Sequence, residues 1–493
     1  MITNQLRYQL SQAGTTDKIY CTFSGLQAGN GIFALAKIAF RVYFILMMKF
    51  LEHRYTLPCI LIAAFILRII PAWSALSHPE RLSRPDTDSY LVPARALAEG
   101  SGYPTTRRPP GYPLLAAAVY SCGGSDRELV LLQVLLSVGV CALTGVAAAA
   151  FAGKVCGNAA AALAACDLTA IANAPLLLSD TFFALFAAGQ LWFFIRYRRS
   201  CRLADLLLCT FTAAAAVLIR PINLPMIAVL TVLVAFVPEI PWRRKALHAA
   251  LSILLFFAVI TPWMYRNHRA GAPFTIDTNT GAMRHQNGAA LMAKVKGTDF
   301  ESEKKRLLEE EAAAFADTAK FPDERSREAW RIAGFRRMIA AHPVTYTLQH
   351  FDLRVLIPDA PTFLEDFGVT SSDRGTMGVL QKQGIAAAIR HYFGENWLTF
   401  ILMLIPLLLP TALLYLACAC RLVQDLFRFR RRRDELLLFL AFAEYYLFLP
   451  GAITAPRYQL PALPCLCLLA GCAVIDLLES ADAHVEDPPV VEV

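Results

Sequence analysis

The sequence predicts an α-helical protein that crosses a membrane many times, and three observations support that prediction. Hydrophobic residues make up 56% of the 493 positions, and only 17% of the residues are charged. The mean hydropathy is +0.45, which is typical of a chain largely surrounded by lipid. The positive charges stand in short clusters between apolar runs, the pattern that sets membrane topology. Such short, separated clusters do not favour a nucleic-acid partner.

Apolar segments long enough to cross the hydrocarbon core predict about ten membrane spans. The predicted spans are Leu57–Trp73, Val130–Ala152, Val155–Ile171, Leu176–Phe194, Leu203–Ile219, Ile222–Val237, Leu247–Tyr265, Trp397–Cys418, Leu436–Leu449 and Leu460–Leu478. When successive spans alternate in direction, all four basic clusters reach one face, which we expect to be the cytoplasmic face. These clusters are Lys49 with Arg54, Arg196–Arg202, Trp242–Lys245 and Arg428–Arg433.

The same topology predicts the domain organisation and places the protein, as a multi-pass protein, in the cell inner or plasma membrane. Residues 1–48 are expected to be a cytoplasmic extension, with Met47 or Met48 as an alternative start. The remaining parts are spans one to seven at 49–266 with a first outer loop at 74–128, an outer segment at 267–395, C-terminal spans at 396–478, and a disordered cytoplasmic tail at 479–493. Charged residues at helical spacing predict amphipathic helices in the outer segment.

The first outer loop combines acids, arginines and aromatic residues in a chain poor in charge. Asp86 and Asp88 precede Tyr90, and Arg108 and Tyr112 follow in RRPPGYP. A solvated loop is the ordinary interpretation of carboxylates at a membrane surface. The combination also suits a sugar ligand that carries a phosphate, because arginine binds phosphate in a forked geometry and aromatic rings stack on sugar faces.

Asp180 stands out in APLLLSDTFF, where apolar residues flank a charge at membrane depth. It is interpreted as a helix cap, as a wall of an active site, or as both.

Three further stretches place polar side chains at the predicted outer face. Arg220, at the end of the fifth span, is interpreted as a snorkelling terminus. Arg266 and Asn267 begin a stretch rich in Gly and Thr, in which the Asn and Thr side chains suit hydrogen bonds to hydroxyl groups. Arg457 and Tyr458 lie where the last span enters the membrane.

The cysteines predict packing rather than metal binding or disulfides. Cys418 and Cys420, like Cys465 and Cys467, are separated by one residue, which is too close for the usual zinc spacing. Most of the other cysteines lie in apolar runs, where a thiol behaves as a small hydrophobic group. Only Cys122 falls on the predicted outer side.

The order of these motifs resembles bacterial GT-C glycosyltransferases, in particular the group with protein O-mannosyltransferase-like enzymes and aminoarabinose transferases of lipid A. The resemblance runs from about Leu57 to Leu478 and rests on RPDTDSYL, RRPPGYPLL, LLLSDTFF, PWMYRNHRAGAPFTIDTNTGA and APRYQLPALP. It implies a GT-C fold with interfacial helices in the first outer loop. It also implies transfer of a sugar from a polyprenyl-phosphate carrier to a hydroxyl, at an active site facing the periplasm or the exterior.

The resemblance also assigns roles to individual residues. Asp86, four residues before Tyr90, corresponds to the family's key aspartate and would act as the base. Arg108 and Arg457 would hold the carrier phosphate. Many relatives have Glu where this chain has Asp180. Thr87 separates Asp86 from Asp88, so the adjacent carboxylate pair of several relatives is missing; the sequence requires no metal and leaves a divalent cation open.

Two other functions remain open at this point. A transporter or flippase of lipid-linked sugars would show related halves or broken helices with polar residues at mid-membrane. A glycan polymerase or ligase of GT-C type would share the carrier and the arginines and differ in its acceptor. The sugar, a hexose, pentose or amino sugar, and the acceptor, a protein, lipid A, a glycolipid or a cell-wall polymer, are not specified by these residues.

Overall fold

A computed structural model gives the fold and describes residues 49–367, 379, 383–394, 397–427, 429–453 and 455–486. Within these ranges the regular secondary structure is entirely helical, so the prediction of a helical membrane protein is confirmed. The predicted extension at 1–48 and the last residues of the predicted tail, 487–493, lie outside the described residues.

The helices are named here in chain order. They are α1 (Thr56–Leu76), α2 (Thr87–Ala98), α3 (Gly111–Ser121), α4 (Asp126–Ala152), α5 (Lys154–Cys166), α6 (Leu168–Asn173), α7 (Asp180–Ser200), α8 (Leu203–Val217), α9 (Met226–Ala235), α10 (Trp242–Arg269), α11 (Asn287–Lys296), α12 (Phe300–Phe315), α13 (Glu324–Ala341), α14 (Pro343–Leu348), α15 (Ala360–Asp366), α16 (Ile385–Phe393), α17 (Trp397–Phe427), α18 (Phe429–Leu438), α19 (Tyr445–Phe448) and α20 (Leu463–Glu486). A π-helical stretch, Phe439–Glu444, joins α18 to α19. Short 3-10 turns occur at Pro79–Arg81, Pro221–Asn223, Thr280–Arg284, Leu353–Leu356 and Pro456–Gln459.

Four helices in the described ranges are long and apolar enough to cross a membrane. They are α1, α4, α10 and the Leu408–Phe427 part of α17, and each overlaps a predicted span. Other predicted spans fall on shorter apolar helices, including α5, α8 and the Leu463–Leu477 part of α20. The count of about ten spans therefore stays a prediction.

The predicted span Val155–Ile171 is broken at Asp167, where α5 ends and α6 begins. Arg68 of α1 is fully buried and donates to the last carbonyls of α5, at 3.0 Å to Ala164 O and 2.9 Å to Ala165 O. Asp167 accepts a 2.8 Å hydrogen bond from the Ala170 backbone N–H and so caps α6. Both free helix ends are thereby satisfied in a buried position.

The predicted span Leu176–Phe194 also differs from the structure, because its helix α7 begins only at Asp180. The residues before it are irregular and bind the first outer loop and helix α4. Leu177 N donates to Leu82 O at 3.0 Å, and Leu176 O accepts from Gln133 Nε2 at 2.6 Å. These contacts satisfy backbone groups that a helix would have used.

The outer segment, residues 267–395 and named for its predicted side, forms helices α12 and α13 where its charge pattern predicts helices. Asp299 caps α12 by accepting from Ser302 N at 2.9 Å, and Asp323 caps α13 by accepting from Ser326 N at 2.8 Å. Such caps stabilise a helix end by about 1 kcal/mol.

Candidate active site

Asp86 lies directly before α2, where the first outer loop meets the start of α7. Thr87 fixes this position because its hydroxyl accepts from Arg84 N at 2.9 Å and donates to Leu177 O at 3.2 Å. Leu177 precedes Asp180 by three residues, so this anchoring brings Asp86 beside Asp180. The Asp86 side chain is 47% exposed, whereas that of Asp180 is 4% exposed.

Arg108 pairs directly with Asp86. Its Nη2 donates to Asp86 Oδ1 at 2.6 Å, and its Nε donates to the Ser89 hydroxyl at 2.9 Å. The guanidinium lies over the Tyr90 ring, 4.6 Å from its centroid. Two hydrogen bonds and a cation–π contact therefore fix the orientation of this arginine.

Gly111 explains how the loop reaches the next part of the site. Gly111 N donates to Leu218 O at 2.6 Å, and a Cβ at position 111 would lie only 2.7 Å from that oxygen and from Ile219 Cγ1. Only glycine permits so close an approach of the two backbones. The contact places Arg108 near Arg220, two residues beyond Leu218.

Arg220 and Asp180 form a short ion pair, with Nη1 of the arginine 2.5 Å from Oδ1 of the aspartate. The interpretation of Arg220 as a snorkelling terminus is therefore wrong, because its guanidinium turns toward a buried carboxylate. Ser179 occupies the cap position of α7, and neither Ser179 nor Asp180 makes a side-chain cap hydrogen bond there. Asp180 therefore pairs with Arg220 and does not cap α7.

Arg457 lies between the two acids, with Nη2 3.7 Å from Asp86 Oδ2 and Nε 3.8 Å from Asp180 Oδ2. Both distances exceed a hydrogen bond, and Nε is buried with no hydrogen-bond partner among the described residues. Burial alone would lower the pKa of Arg457, but the charge of Asp180 raises it above its ordinary value. The Tyr458 ring faces both Arg457 and Arg220, with centroid distances of 5.5 and 5.4 Å.

A buried side-chain amide holds the 3-10 turn that carries Arg457. Gln459 is fully buried, accepts from the Tyr415 hydroxyl and donates to the Thr169 hydroxyl at 3.2 Å. Thr169 belongs to α6, and its hydroxyl also accepts from Asp359 N at 3.1 Å. The short helix α6 thus connects the turn that carries Arg457 to the outer segment.

Helix α15 connects the two halves of the site, which are the loop that carries Asp86 and the turn that carries Arg457. At its start, Asp359 accepts from Asn173 Nδ2 at 2.9 Å. At its end, Glu365 pairs with Arg84 at 3.1 Å, and the Asp366 carbonyl accepts from the Ser74 hydroxyl at 2.8 Å. One short helix therefore fixes both the loop that carries Asp86 and the support of Arg457.

Four other predicted residues lie around this cluster. Tyr112 is fully buried, packs edge-on against Tyr90 and donates to Gln133 Oε1 at 2.5 Å. Arg266 donates to the carbonyls of Tyr103 and Thr105, and Asn267 donates to Thr275 O and Ile276 O. Asp88 is exposed in the first turn of α2. Tyr112 therefore holds α3 against α2 and α4, whereas Arg266 and Asn267 hold neighbouring loops.

A buried glutamate holds the glycine- and threonine-rich stretch. Glu328 of α13 accepts from Gly281 N at 2.6 Å and is 1% exposed. A Cβ at position 281 would lie 2.1 Å from the Glu328 carboxylate, so any larger residue there would force that buried side chain to move. Burial raises the pKa of Glu328 to about 7. The same stretch reaches the first outer loop through a 2.9 Å hydrogen bond from Thr278 N to Thr106 O.

The cluster therefore holds three guanidinium groups, from Arg108, Arg220 and Arg457, and two carboxylates, from Asp86 and Asp180. One positive charge is in excess, which favours an anionic ligand. No group of three or more His, Cys, Asp or Glu side chains in the described ranges is arranged to hold a metal ion.

Comparison with known proteins bears on residues 107–265, which match the family model of dolichyl-phosphate-mannose-protein mannosyltransferases. The matched segment begins at the Arg107–Arg108 pair and includes Asp180 and Arg220. No match is found among curated protein sequences.

Two solved structures resemble the fold. The archaeal oligosaccharyltransferase AglB from Archaeoglobus fulgidus, in complex with an inhibitory peptide and a dolichol-phosphate, matches with a TM-score of 0.50 at 13% identity, over 87% of this chain and 50% of that one. The apo form of the Archaeoglobus fulgidus oligosaccharyltransferase matches with a TM-score of 0.49 at 14% identity, over 88% of this chain and 52% of that one. The chain thus spans about half the length of these structures. It has the membrane-embedded helical fold of the GT-C class glycosyltransferases.

Proposed function

We propose that this protein transfers a sugar from a polyprenyl-phosphate carrier to an acceptor hydroxyl at the outer face of the membrane. The observation that carries the proposal is the position of Arg457, which lies between Asp86 and Asp180 and whose buried Nε has no hydrogen-bond partner among the described residues. A cation held between two acids and still able to donate is suited to bind a phosphate. The family match at residues 107–265 supports the same donor class.

Arg108 and Arg457 are the proposed phosphate ligands. A carrier phosphate would compete with Asp86 for both guanidinium groups, because each lies within 3.7 Å of that carboxylate. Binding of the donor would therefore draw the arginines from Asp86 and leave the carboxylate available as a base. Arg220 is held by Asp180 at 2.5 Å and is assigned a positioning role.

Asp86 is the proposed base because it is the accessible acid of the pair, at 47% exposure against 4% for Asp180. Its carboxylate takes the proton of the acceptor hydroxyl, and the acceptor oxygen forms the new bond to the anomeric carbon. The bond from that carbon to the phosphate oxygen breaks, and its electron pair passes to the phosphate. Arg108 and Arg457 stabilise the added negative charge, and attack opposite the phosphate inverts the anomeric centre.

The rings of Tyr90 and Tyr458 contact the arginines of the cluster, and we assign them to orienting these arginines rather than to stacking on the sugar. Tyr90 lies beneath Arg108, and Tyr458 faces Arg220 and Arg457. Both rings therefore orient the cations of the phosphate site. The sugar and acceptor would contact the exposed side of Asp86.

Ion pairs on the opposite side support the proposed orientation. Arg198 pairs with Glu239 at 2.7 Å and with Asp434 at 3.0 Å, which joins three segments that the topology assigns to the cytoplasm. Cysteine introduced at Ser101 or Ser200, after replacement of the exposed native cysteines, should be labelled from opposite sides of the membrane. Labelling of both positions from one side would contradict the orientation.

A donor comparison tests the proposal. Purified protein in liposomes is given one labelled sugar on a polyprenyl monophosphate, on a polyprenyl diphosphate or on a nucleotide, with a crude envelope acceptor. Transfer from the monophosphate alone is the expected result. Transfer from the nucleotide would contradict it, and movement of the intact carrier across the bilayer without sugar transfer would favour a transporter.

A further inference from the structure

The outer segment carries an apolar face that the site does not use. Five large apolar side chains within residues 344–357 are strongly exposed, and each is between 55% and 70% accessible. They are Val344, Leu348, Phe351, Leu353 and Ile357, here called the 344–357 face. The sequence places none of them in a predicted membrane span. Concentrated apolar exposure of this kind marks a surface that contacts another molecule or lipid.

Helix α14 presents two of these residues on one side. Val344 and Leu348 are four positions apart, so they lie above one another on the same face. Tyr346 points to a different side and packs edge-on against Phe335 of α13 and against His350. Tyr346 therefore fixes α14 to α13, and the side of α14 that carries Val344 and Leu348 faces outward.

The 344–357 face lies at the level where the ninth predicted span ends. Phe351 packs against Phe448, the last residue of α19, with ring centroids 5.3 Å apart. His350 Nδ1 lies 2.9 Å from the Phe448 carbonyl oxygen. Val355, in the same stretch, is fully buried in the core of the helical bundle. The face is thus continuous with the end of the ninth predicted span.

The charges in this stretch are arranged to suit contact with lipid. The acidic and basic residues of 344–357 are Asp352 and Arg354, and they pair with each other through several hydrogen bonds. Pairing lowers the pKa of the Asp352 carboxyl, chiefly through the hydrogen bond from Arg354. Two exposed arginines, Arg336 and Arg337, precede the face and complement anionic headgroups.

We propose that the 344–357 face lies in the bilayer interface, on the same side of the membrane as the candidate site, with lipid as its partner. Contact of Val344, Leu348 and Leu353 with acyl chains removes their exposed surface from water. Because α15 follows this stretch and holds both halves of the site, the interface would also fix the depth of the site relative to the membrane surface. The inference rests on the membrane fold and is independent of the reaction.

A photo-crosslinking amino acid at Val344 or Leu348 tests the proposal in the full-length protein. The protein is placed in nanodiscs of phosphatidylethanolamine and phosphatidylglycerol, irradiated, and examined by mass spectrometry. The matched control is Ala312, which is exposed on α12 on the same side as the solvated pair Lys305 and Glu309. Retention of a monodisperse folded protein is checked before irradiation, and two test positions protect against failure of one variant.

Lipid adducts severalfold more abundant at positions 344 and 348 than at 312 are the expected result. Water adducts at all three positions in similar yield would overturn the proposal. Cross-links between two copies of the chain would also overturn it and would identify the face as a subunit interface.

Discussion

The Nη2 atom of Arg108 lies 2.6 Å from Oδ1 of Asp86, so the proposed base and a proposed phosphate ligand are paired with each other. The carboxylate oxygen that binds Arg108 is not available to an acceptor hydroxyl. The donor phosphate, by competing for Arg108, would therefore free the Asp86 carboxylate at the moment when the sugar is in place. In the proposed reaction, binding of the donor and activation of the acceptor would be coupled through this one contact.

The first prediction concerns Arg457. Arg457→Ala should raise the KM for the lipid-linked donor by about 10- to 100-fold, because a hydrogen bond to a charged group contributes about 1.5 to 3 kcal/mol. Arg457→Lys should raise this KM less, because lysine keeps the positive charge but lacks the two parallel N–H donors of the guanidinium group. The control is Arg95→Ala, which removes an exposed pair with Asp126 in the same loop region. Donor kinetics unchanged in Arg457→Ala would remove Arg457 from the phosphate site.

The second prediction separates stability from activity at Asp180. Asp180→Asn leaves the Arg220 guanidinium without its buried partner and should lower the free energy of unfolding by about 2 to 4 kcal/mol. The double variant Asp180→Asn with Arg220→Gln should regain most of this stability, measured as the thermal unfolding midpoint in detergent. Sugar transfer should stay low in both. A fully active double variant would show that the pair only stabilises the fold.

The third prediction uses a glycine at the contact between two loops. Gly111→Ala places a Cβ 2.7 Å from Leu218 O and should displace the Arg108 segment from Arg220, with a loss of transfer larger than the loss of stability. Gly189→Ala is the matched control, because its Cβ would meet Thr212 Cγ2 at an ordinary 3.7 Å. Equal activity of the two variants would argue against the need for this close approach.

The fourth prediction is a pH dependence in the outer segment. The pKa of Glu328 is raised by burial from the ordinary value of 4.5 to about 7, so the folded protein favours the protonated carboxyl. Its contribution to stability is fully present below about pH 4.5 and is lost as the pH rises through about 7. After correction for the intrinsic base-catalysed rate, amide exchange in the Thr280–Arg284 turn should therefore show an acceleration between pH 6 and 8. Glu328→Gln should remove this acceleration, and an unchanged pH profile in that variant would assign it to another group.

The sequence predicts the membrane fold and two of the three arginines of the cluster. Apolar length reveals α1, α4, α10 and part of α17 without tertiary information. Asp86, Arg108 and Arg457 can be found because motif order and the predicted face place them together. Backbone distances within the cluster do not follow from such reasoning.

Arg220 shows why the rest of the cluster cannot be predicted from one sequence. A snorkelling arginine and an arginine paired with a buried carboxylate look the same at the end of an apolar run. The difference lies in the Gly111–Leu218 contact, which joins segments about 100 residues apart in the chain. The late start of α7 has a similar origin, since Leu177 binds Leu82 instead of continuing a helix.

The most direct test of the role of Asp86 is sugar transfer by Asp86→Asn beside the wild type, in liposomes with the polyprenyl-phosphate donor. We expect transfer to fall by at least about 100-fold, typical of removing a general base, in a protein that stays folded and still binds the donor. Donor binding should be unchanged or tighter, because Arg108 and Arg457 no longer face a charged competitor. Transfer by Asp86→Asn at the wild-type rate would contradict the central claim.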